Sequence, residues 1–318
     1  MILKKMKFSK KYLFTLLILF LLFNYSFASE VKIIKRINNE IVTNIDIEIE
    51  YNYLIALNND LKNISRNEGL RIAEESLTRE KIKLIELKKN LSIENFIEND
   101  LSNSILKNFY QKLKLDNEND FEVYLQTFNL SLDHIKKKIK FELLWNQLIG
   151  AKFINQIDID EEILKERIRQ DKLNFIDINE YDLSEIVFQA KDRNDLSSKV
   201  NKIRLDIDMN GFSAAANRFS DSNSSKFGGK IGKIKENQLS KKIQQELNKI
   251  SIGQITNPIN IGNGFIILYV HDKKISKFEE DEEMILKKMI EFERAKQFSQ
   301  FSRIYFDKIK INTEIKSD

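Results

Sequence analysis

Residues 219–272 of the 318-residue chain read FSDSNSSKFGGKIGKIKENQLSKKIQQELNKISIGQITNPINIGNGFIILYVHD. The whole sequence contains nine glycines, and seven of them lie between residues 211 and 264, as does the only proline, Pro258. Glycine permits positive φ angles and close approach of backbone segments, so this concentration predicts a compact domain with several tight turns. The rest of the sequence is charged and apolar with few turn residues, which favours helices.

The periodicity of apolar residues predicts the elements around these glycines. Apolar residues from Leu196 to Ile207 repeat at spacings of four, three and four, which predicts a helix that ends at Gly211. The continuous apolar run that begins at Gly264 is typical of a strand in the middle of a sheet. The predicted order is β-α-α-β-α-β, with strands that include 183–188 and 264–272 and helices near 196–210, 212–220 and 240–249.

Helical patterns return on both sides of this domain. They predict helices N-terminal to it at 71–90, 93–113, 118–129, 131–148 and 158–172, and a long helix after it at 279–306. The last helix needs a partner for its apolar stripe, and the N-terminal helices are available. We therefore predict an α+β fold with a mostly helical module, formed by 29–175 and 276–318, and a small inserted domain at 176–275. Trp145 is interpreted as a core residue rather than a peptide-binding anchor, because large aromatic side chains are usually buried.

The N-terminus has the plan of a signal peptide. Five lysines precede the apolar run Tyr12–Phe23, and Ser26-Phe27-Ala28 has small residues at the two positions that a signal peptidase reads. We predict cleavage after Ala28 and a periplasmic location; the alternative is an uncleaved membrane anchor, for which the run is short. The sequence has no cysteine, which excludes disulfides and a lipid anchor on a cysteine thiol.

Charge and composition exclude several classes of site. Without the five lysines of the signal segment, the sequence has 47 basic and 48 acidic side chains. This balance argues against nucleic acid as a partner. Two scattered histidines and no cysteine argue against a zinc site, and no lysine-threonine pair follows Gly228-Gly229 in the manner of a phosphate-binding loop. We expect no metal and no cofactor.

The quoted stretch resembles the parvulin family of peptidyl-prolyl isomerases, whose PpiC-type domains share its order of elements. The matching residues are Phe219-Ser220-Asp221, Gly228-Gly229, Gly232, Gly253, Pro258 and Gly264-Phe265. The segments 37–48 and 75–89 resemble the N-terminal region of SurA-type periplasmic chaperones. The resemblance implies a core module of N-terminal helices and a C-terminal helix, with one parvulin domain between them.

The sequence departs from the parvulin pattern at the positions that carry the chemistry. Glu185 stands where the family has its first histidine, Ile266 where it has the second, and Ser222 where it has a cysteine or aspartate. Leu239 and Ile243 match the methionine and phenylalanine of the proline pocket. The resemblance therefore implies catalytic positions at Glu185 and Ser222 and substrate-binding positions at Leu239, Ile243, Phe265 and Ile266.

Proline isomerisation makes and breaks no covalent bond, so it requires no nucleophile. The rotation barrier is about 18–20 kcal/mol, and a catalyst lowers it by favouring the twisted amide in an apolar pocket with polar groups beneath. With Glu185 and Ile266 in place of the histidines, we expect weak or lost activity. A buried Glu185 needs a partner or a raised pKa, and Ser222 is the candidate partner.

Two functions follow as hypotheses from different classes. The first is a periplasmic chaperone that binds unfolded outer-membrane proteins, without ATP, in an apolar crevice between the helical module and the parvulin domain. The second is an active peptidyl-prolyl isomerase with an atypical site, acting on proline-containing peptides. A third possibility is a foldase held at the membrane by an uncleaved Tyr12–Phe23 segment.

Overall fold

The computed structural model describes residues 30–90, 100–174, 177–262, 264–277 and 282–317. The strands are β1 (Ile33–Ile37), β2 (Glu40–Thr43), β3 (Asp177–Phe188), β4 (Lys230–Lys235), β5 (Ile259–Asn260), β6 (Phe265–Lys277) and β7 (Ile315–Ser317). The helices are α1 (Asn44–Leu57), α2 (Arg66–Asn90), α3 (Asp100–Lys112), α4 (Glu118–Gln126), α5 (Leu132–Phe153), α6 (Glu161–Asn174), α7 (Arg193–Phe219), α8 (Lys241–Leu247) and α9 (Glu282–Ile311). This is the α+β composition that the sequence predicts.

Local sequence signals account for several of these boundaries. Asn38 takes a positive φ of 47° in the turn between β1 and β2, a conformation that asparagine tolerates better than most residues. Thr43 caps α1 by a reciprocal exchange of hydrogen bonds with Asp46, and Ser131 accepts a bond from the backbone N–H of His134 at the start of α5. Thr43 and Ser131 are residue types that favour N-cap positions because their side-chain oxygen accepts a backbone N–H of the first turn.

One hydrophobic core joins the two ends of the described chain. Side chains from α1 to α5 pack with Phe306 and the partly buried Phe298 and Phe301 of α9. Trp145 is 1% exposed and its indole N–H donates to Ser302 Oγ at 2.8 Å, so its interpretation as a core residue is confirmed. The small sheet also joins the two ends of the described chain, because its order β2-β1-β7 places the last strand beside the first.

The second sheet has the antiparallel order β4-β3-β6-β5. Helix α7 covers one face; it breaks at Gly211, where φ is 84° and ψ is 161°, as the sequence predicts. On the opposite face, β3 and β6 form a cluster with Leu239, Ile243 and Leu247 from α8 and the segment before it. Residues 177–277 are called the sheet domain below.

Buried polar contacts fix the sheet domain against the helical module. The amides of Asn58 and Asn217 are bonded at 2.5 Å, with the two side chains 3% and 2% exposed, and Ser213 donates to Asn58 Oδ1 at 2.9 Å. Ala214 and Phe227 of the sheet domain belong to the core of the helical module. From Ile33 onward the chain therefore forms one compact unit.

The predicted signal segment, residues 1–28, lies outside the described residues. Within the described ranges, no helix combines the length and the apolar content needed to cross a membrane.

Candidate functional site

A polar cluster forms around Glu185 in β3. Its Oε1 atom accepts hydrogen bonds from Ser222 Oγ at 2.5 Å and from Ser224 Oγ at 2.9 Å. Ser222 also caps the short 3-10 helix Asn223–Phe227 by accepting from the backbone N–H of Ser224 at 3.3 Å. The structure thus brings Glu185 and Ser222 together, and it adds Ser224, which sequence reasoning missed although it lies only two residues beyond Ser222.

In its protein environment, the Glu185 carboxyl group is protonated more readily than it would be in water. Burial raises the pKa of its carboxyl group, while the Ser222 and Ser224 hydroxyls and the charge of Arg303 oppose that rise. A carboxyl group in this position is a hydrogen-bond acceptor when ionised and a donor when protonated. A neutral histidine, in contrast, has one donor and one acceptor nitrogen at once, so Glu185 does not reproduce its hydrogen bonding.

Two glycines hold the serine segment against β3. Gly228 and Gly229 have φ angles of 68° and 77°, and the backbone N–H of Glu185 donates to the Gly229 carbonyl oxygen at 2.8 Å. A Cβ atom at Gly229 would lie 2.4 Å from the Glu185 carbonyl oxygen. Only glycine allows this approach, which explains the paired glycines of the sequence.

Three of the four predicted substrate-binding residues lie together. Leu239, Ile243 and Ile266 are 3%, 8% and 7% exposed and belong to the same apolar cluster. Arg167 of α6 donates to the Leu239 carbonyl oxygen, so the helical module reaches the edge of this cluster.

Phe265 does not join them, and its predicted place in the pocket is corrected here. Its ring stacks on Phe188 on the α7 face of the sheet, with ring centroids 5.9 Å apart. The reason is strand geometry: adjacent residues point to opposite faces, so Phe265 and Ile266 cannot line one pocket from within β6.

The two histidines lie away from the family's catalytic positions. His271 Nε2 lies 2.7 Å from Ser184 Oγ; Ser184 is 1% exposed, whereas His271, in β6, is exposed. His134 packs edge-on against Tyr53. Burial lowers the pKa of both imidazoles.

A cavity of about 450 Å³ lies where α1, α2, α5 and α9 meet residues 220–226 of the sheet domain. Ser222 lines it and also belongs to the polar cluster, whereas Glu185 and Ser224 are not among the lining residues. Its apolar lining residues are Tyr53, Leu54, Phe141, Ile149, Ala295, Phe298 and Phe306. Among the described residues, its charged lining consists of Glu50, Glu80, Glu142, Asp221, Asp307, Arg79, Lys83, Lys138, Lys226 and Arg303. The crevice that we expected to be apolar is thus lined by both apolar and charged residues.

Most charges on the helical side of the cavity are paired. Lys138 contacts Glu80 and lies 2.6 Å from Glu50 Oε2; although burial opposes it, these two carboxylates raise the pKa of Lys138. Glu142 lies 3.7 Å from Lys83 and 3.6 Å from Lys226. Against the effect of burial, these cations lower the pKa of Glu142 to about 2. This wall of the cavity is therefore a fixed set of ion pairs.

The wall near Ser222 is less fully paired. Enclosure by the cavity and the neighbouring Asp307 raise the pKa of Asp221 to about 6, although this side chain remains accessible within the cavity. Arg303 is 6% exposed and donates from Nη1 to Ser299 Oγ at 2.9 Å. Among the described residues, its Nε and Nη2 atoms have no hydrogen-bond partner. Sequence reasoning missed Arg303; the available signal is a cation on the buried side of the C-terminal helix, three residues before Phe306.

The strand order and the paired glycines together describe a known kind of domain. Residues 175–272 match the rotamase family described as the PPIC-type PPIASE domain. This segment is a PpiC-type isomerase domain. The PpiC domain contributes the polar cluster, the apolar cluster and one wall of the cavity.

The similarity to known proteins extends beyond the PpiC domain. Over 205 residues the chain is 27% identical to the chaperone SurA of Pseudomonas putida, which covers 60% of this chain and 47% of SurA. It is 25% identical over 186 residues to the foldase protein PrsA 2 of Bacillus cereus, covering 58% and 59% of the two chains. The chain spans about half the length of the curated relatives it matches.

A solved SurA-like chaperone of Campylobacter jejuni is 17% identical, with 90% of this chain and 98% of that chain covered and a TM-score of 0.35. The chain carries a PpiC domain and is similar to SurA and PrsA over part of its length.

Proposed function

We propose that the protein is a periplasmic chaperone that holds unfolded outer-membrane proteins and keeps them from aggregating. The observation that supports this most strongly is the cavity between the helical module and the PpiC domain. Its aromatic and aliphatic walls suit apolar side chains, and its charged and hydroxyl groups suit the peptide backbone between them. Such a site favours weak, reversible binding of extended segments.

The PpiC domain is proposed to bind peptide with weak or lost isomerase activity. Its apolar cluster offers Leu239, Ile243 and Ile266 to a proline ring. The polar group beneath is a carboxyl held by serines, and Ile266 adds no polar atom. Because stabilisation of the twisted amide depends on groups placed for that purpose, we expect rotation to be accelerated little.

An aggregation assay tests the proposed chaperone. An unfolded outer-membrane barrel diluted from denaturant should scatter less light when the protein is present. Asn146→Trp, which places a large ring on the cavity wall, should weaken this protection several-fold because it fills the space that the segment needs. Gln147→Trp is the matched control, since its neighbouring, exposed position lies outside the cavity. Full protection by Asn146→Trp, or no protection by the parent protein, contradicts the proposal.

The alternative is an active isomerase with an atypical site, favoured by the intact glycine framework around Gly229. A proline-peptide assay separates the two. We expect a rate close to the uncatalysed one; a rate well above it that falls on Leu239→Ala or Ile243→Ala establishes the alternative.

The periplasmic location is part of this proposal and rests on the signal-peptide pattern of residues 1–28. Mass spectrometry of the protein from the cell should then find Ser29 as the first residue. An intact Tyr12–Phe23 segment would instead support a membrane-anchored foldase.

A further inference from the structure

Two carboxyl groups of the cavity differ from the others that line it. Among the described residues, five acidic side chains line the cavity, and three of them, Glu50, Glu80 and Glu142, form ion pairs with lysines. For Asp221 and Asp307, no hydrogen bond or ion pair reaches the carboxyl oxygens within the part of the chain that the structure describes. Both carboxyl groups are thus available to a ligand.

The backbone around Asp221 is fixed to β3. Asp221 donates from its backbone N–H to the Val187 carbonyl oxygen at 2.7 Å. Ser220 Oγ accepts from the Val187 N–H at 3.0 Å, and Ser222 Oγ donates to Glu185 at 2.5 Å. These contacts use the backbone of Asp221 and its neighbours and leave its carboxyl group for a ligand. A group that is already held in place loses little entropy on binding.

The accessible charge on this wall is negative. Asp221 is an exposed side chain that lines the cavity, and Asp307 is partly exposed. Arg303, in contrast, is 6% exposed, and its Nε and Nη2 atoms are buried. Arg79 donates to two main-chain carbonyl oxygens of α7, at 3.1 and 3.4 Å. A ligand in the cavity can therefore contact carboxyl oxygens, whereas one guanidinium group is buried and the other is bonded to the backbone.

The apolar lining of the cavity complements this carboxyl group. Phe298 and Phe306 of α9 and Phe141 of α5 line the same cavity as Asp221. A lysine or arginine side chain combines an apolar stem with a cationic head, so it suits aromatic walls beside an accessible carboxylate. The attraction between opposite charges is stronger in an enclosed site than at an exposed surface.

We propose that Asp221 is a specificity-determining residue of the cavity, and that its carboxylate binds the lysine or arginine side chains of a bound polypeptide. The protein then prefers unfolded segments in which a basic residue lies beside apolar ones. This inference rests on the proposed function for a polypeptide as the ligand, and it adds the charge of that ligand and the residue that reads it.

Calorimetry with two capped peptides tests the proposal: Ac-Thr-Phe-Lys-Tyr-Ser-amide and the same peptide with norleucine in place of lysine. Norleucine keeps the apolar stem and lacks the charge. At neutral pH the parent protein should bind the lysine peptide about fivefold more tightly, as expected for a bond between charged groups. Asp221→Asn should remove most of this preference and leave the Kd of the norleucine peptide within about twofold. Adding Asp307→Asn should remove any preference that remains.

Asp208→Asn is the matched control. It removes the same charge from an exposed position of α7 that is not among the residues lining the cavity, so the preference for lysine should be unchanged. Among the described residues, the Asp221 carboxyl group has no bond to lose, so Asp221→Asn should fold as the parent does, which urea unfolding checks.

The dependence of binding on pH gives a second readout. Burial and the neighbouring Asp307 raise the pKa of Asp221 to about 6, against the charges of Arg79, Arg303 and Lys310. The carboxyl group is ionised above this pH and neutral below it. The preference of the parent for lysine should therefore weaken as the pH falls through about 6, and Asp221→Asn should show no such change.

The outcomes separate this inference from the proposed function. Equal affinity of the parent for the two peptides, or a preference of full size in Asp221→Asn, rejects the inference and leaves the chaperone intact. Tighter binding of the same peptide with glutamate in place of lysine also overturns it, because the arginines would then read the ligand. Lysine-dependent binding without protection of an unfolded barrel rejects the proposed function while the inference stands. Binding of none of these peptides contradicts both.

Discussion

Replacing Gly229 with alanine is expected to destabilise the protein by about 3 kcal/mol, from a left-handed backbone costing roughly 1–2 kcal/mol and overpacking of similar size. The φ angle of Gly229 is 77°, and its missing Cβ would lie 2.4 Å from the Glu185 carbonyl oxygen and 3.0 Å from Ala216 Cβ. The backbone oxygen belongs to β3, the central strand beside β4 and β6, and it cannot move without disturbing both neighbours.

Urea unfolding of the two proteins measures this difference, and Gly253→Ala is the matched control. Gly253 also has a positive φ, 84°, but nothing lies within 4 Å of its Cβ position, so only the backbone strain of about 1 kcal/mol is expected there. Equal losses in the two variants would mean that the close approach of Gly229 to β3 contributes nothing. Because Gly229 also fixes the segment that carries Ser222 and Ser224, its variant should lose peptide binding before it loses secondary structure.

Replacing Lys138 with methionine is expected to cost about 3–5 kcal/mol of stability, the usual range when one partner of a buried ion pair is removed. The Glu50 side chain is 3% exposed and its Oε2 lies 2.6 Å from Lys138 Nζ. Ser76 donates to Glu50 Oε1 at 2.7 Å, but a hydroxyl supplies no charge. Without Lys138, Glu50 is a buried group that has lost its compensating cation.

Lys137→Met is the control for this experiment, because Lys137 is 74% exposed and pairs with Asp133 on the surface at 2.7 Å; its loss should cost less than about 1 kcal/mol. The double variant Lys138→Met with Glu50→Gln should recover part of the loss, since it removes the stranded charge. Thermal unfolding followed by circular dichroism measures all three. A Lys138→Met variant as stable as the control variant would show that the cavity solvates Glu50 as water does.

Sequence reasoning succeeded where the signal is local. Apolar spacing and Gly211 predicted the broken helix α7, and glycine is the residue type that permits the positive φ of residues 228 and 229. The contact between Glu185 and Ser222, 37 residues apart, followed from family resemblance, because nothing in their local sequence links them.

The remaining features depend on where distant segments meet. Strand β5 has two residues, too few to leave a periodic signal. The place of Phe265 depends on which side of β6 faces α7, which the apolar run of that strand does not specify because both faces are buried. Arg303 comes to line the cavity only when α9 packs on a domain that precedes it in the chain.

The small sheet that joins β7 to β1 has a consequence for how the molecule is made. The backbone N–H of Glu314 bonds to Asn38 Oδ1, a separation of 276 residues, and α9 completes the core that α1 to α5 begin. Closing so long a loop is slow, and local contacts form earlier. The strand pairs of the PpiC domain lie within about a hundred residues of each other, so we expect this domain to fold first. The apolar faces of α1, α2 and α5 remain exposed until α9 packs on them. Until then, a protein that is proposed to bind unfolded chains itself exposes the apolar surface of an unfinished core.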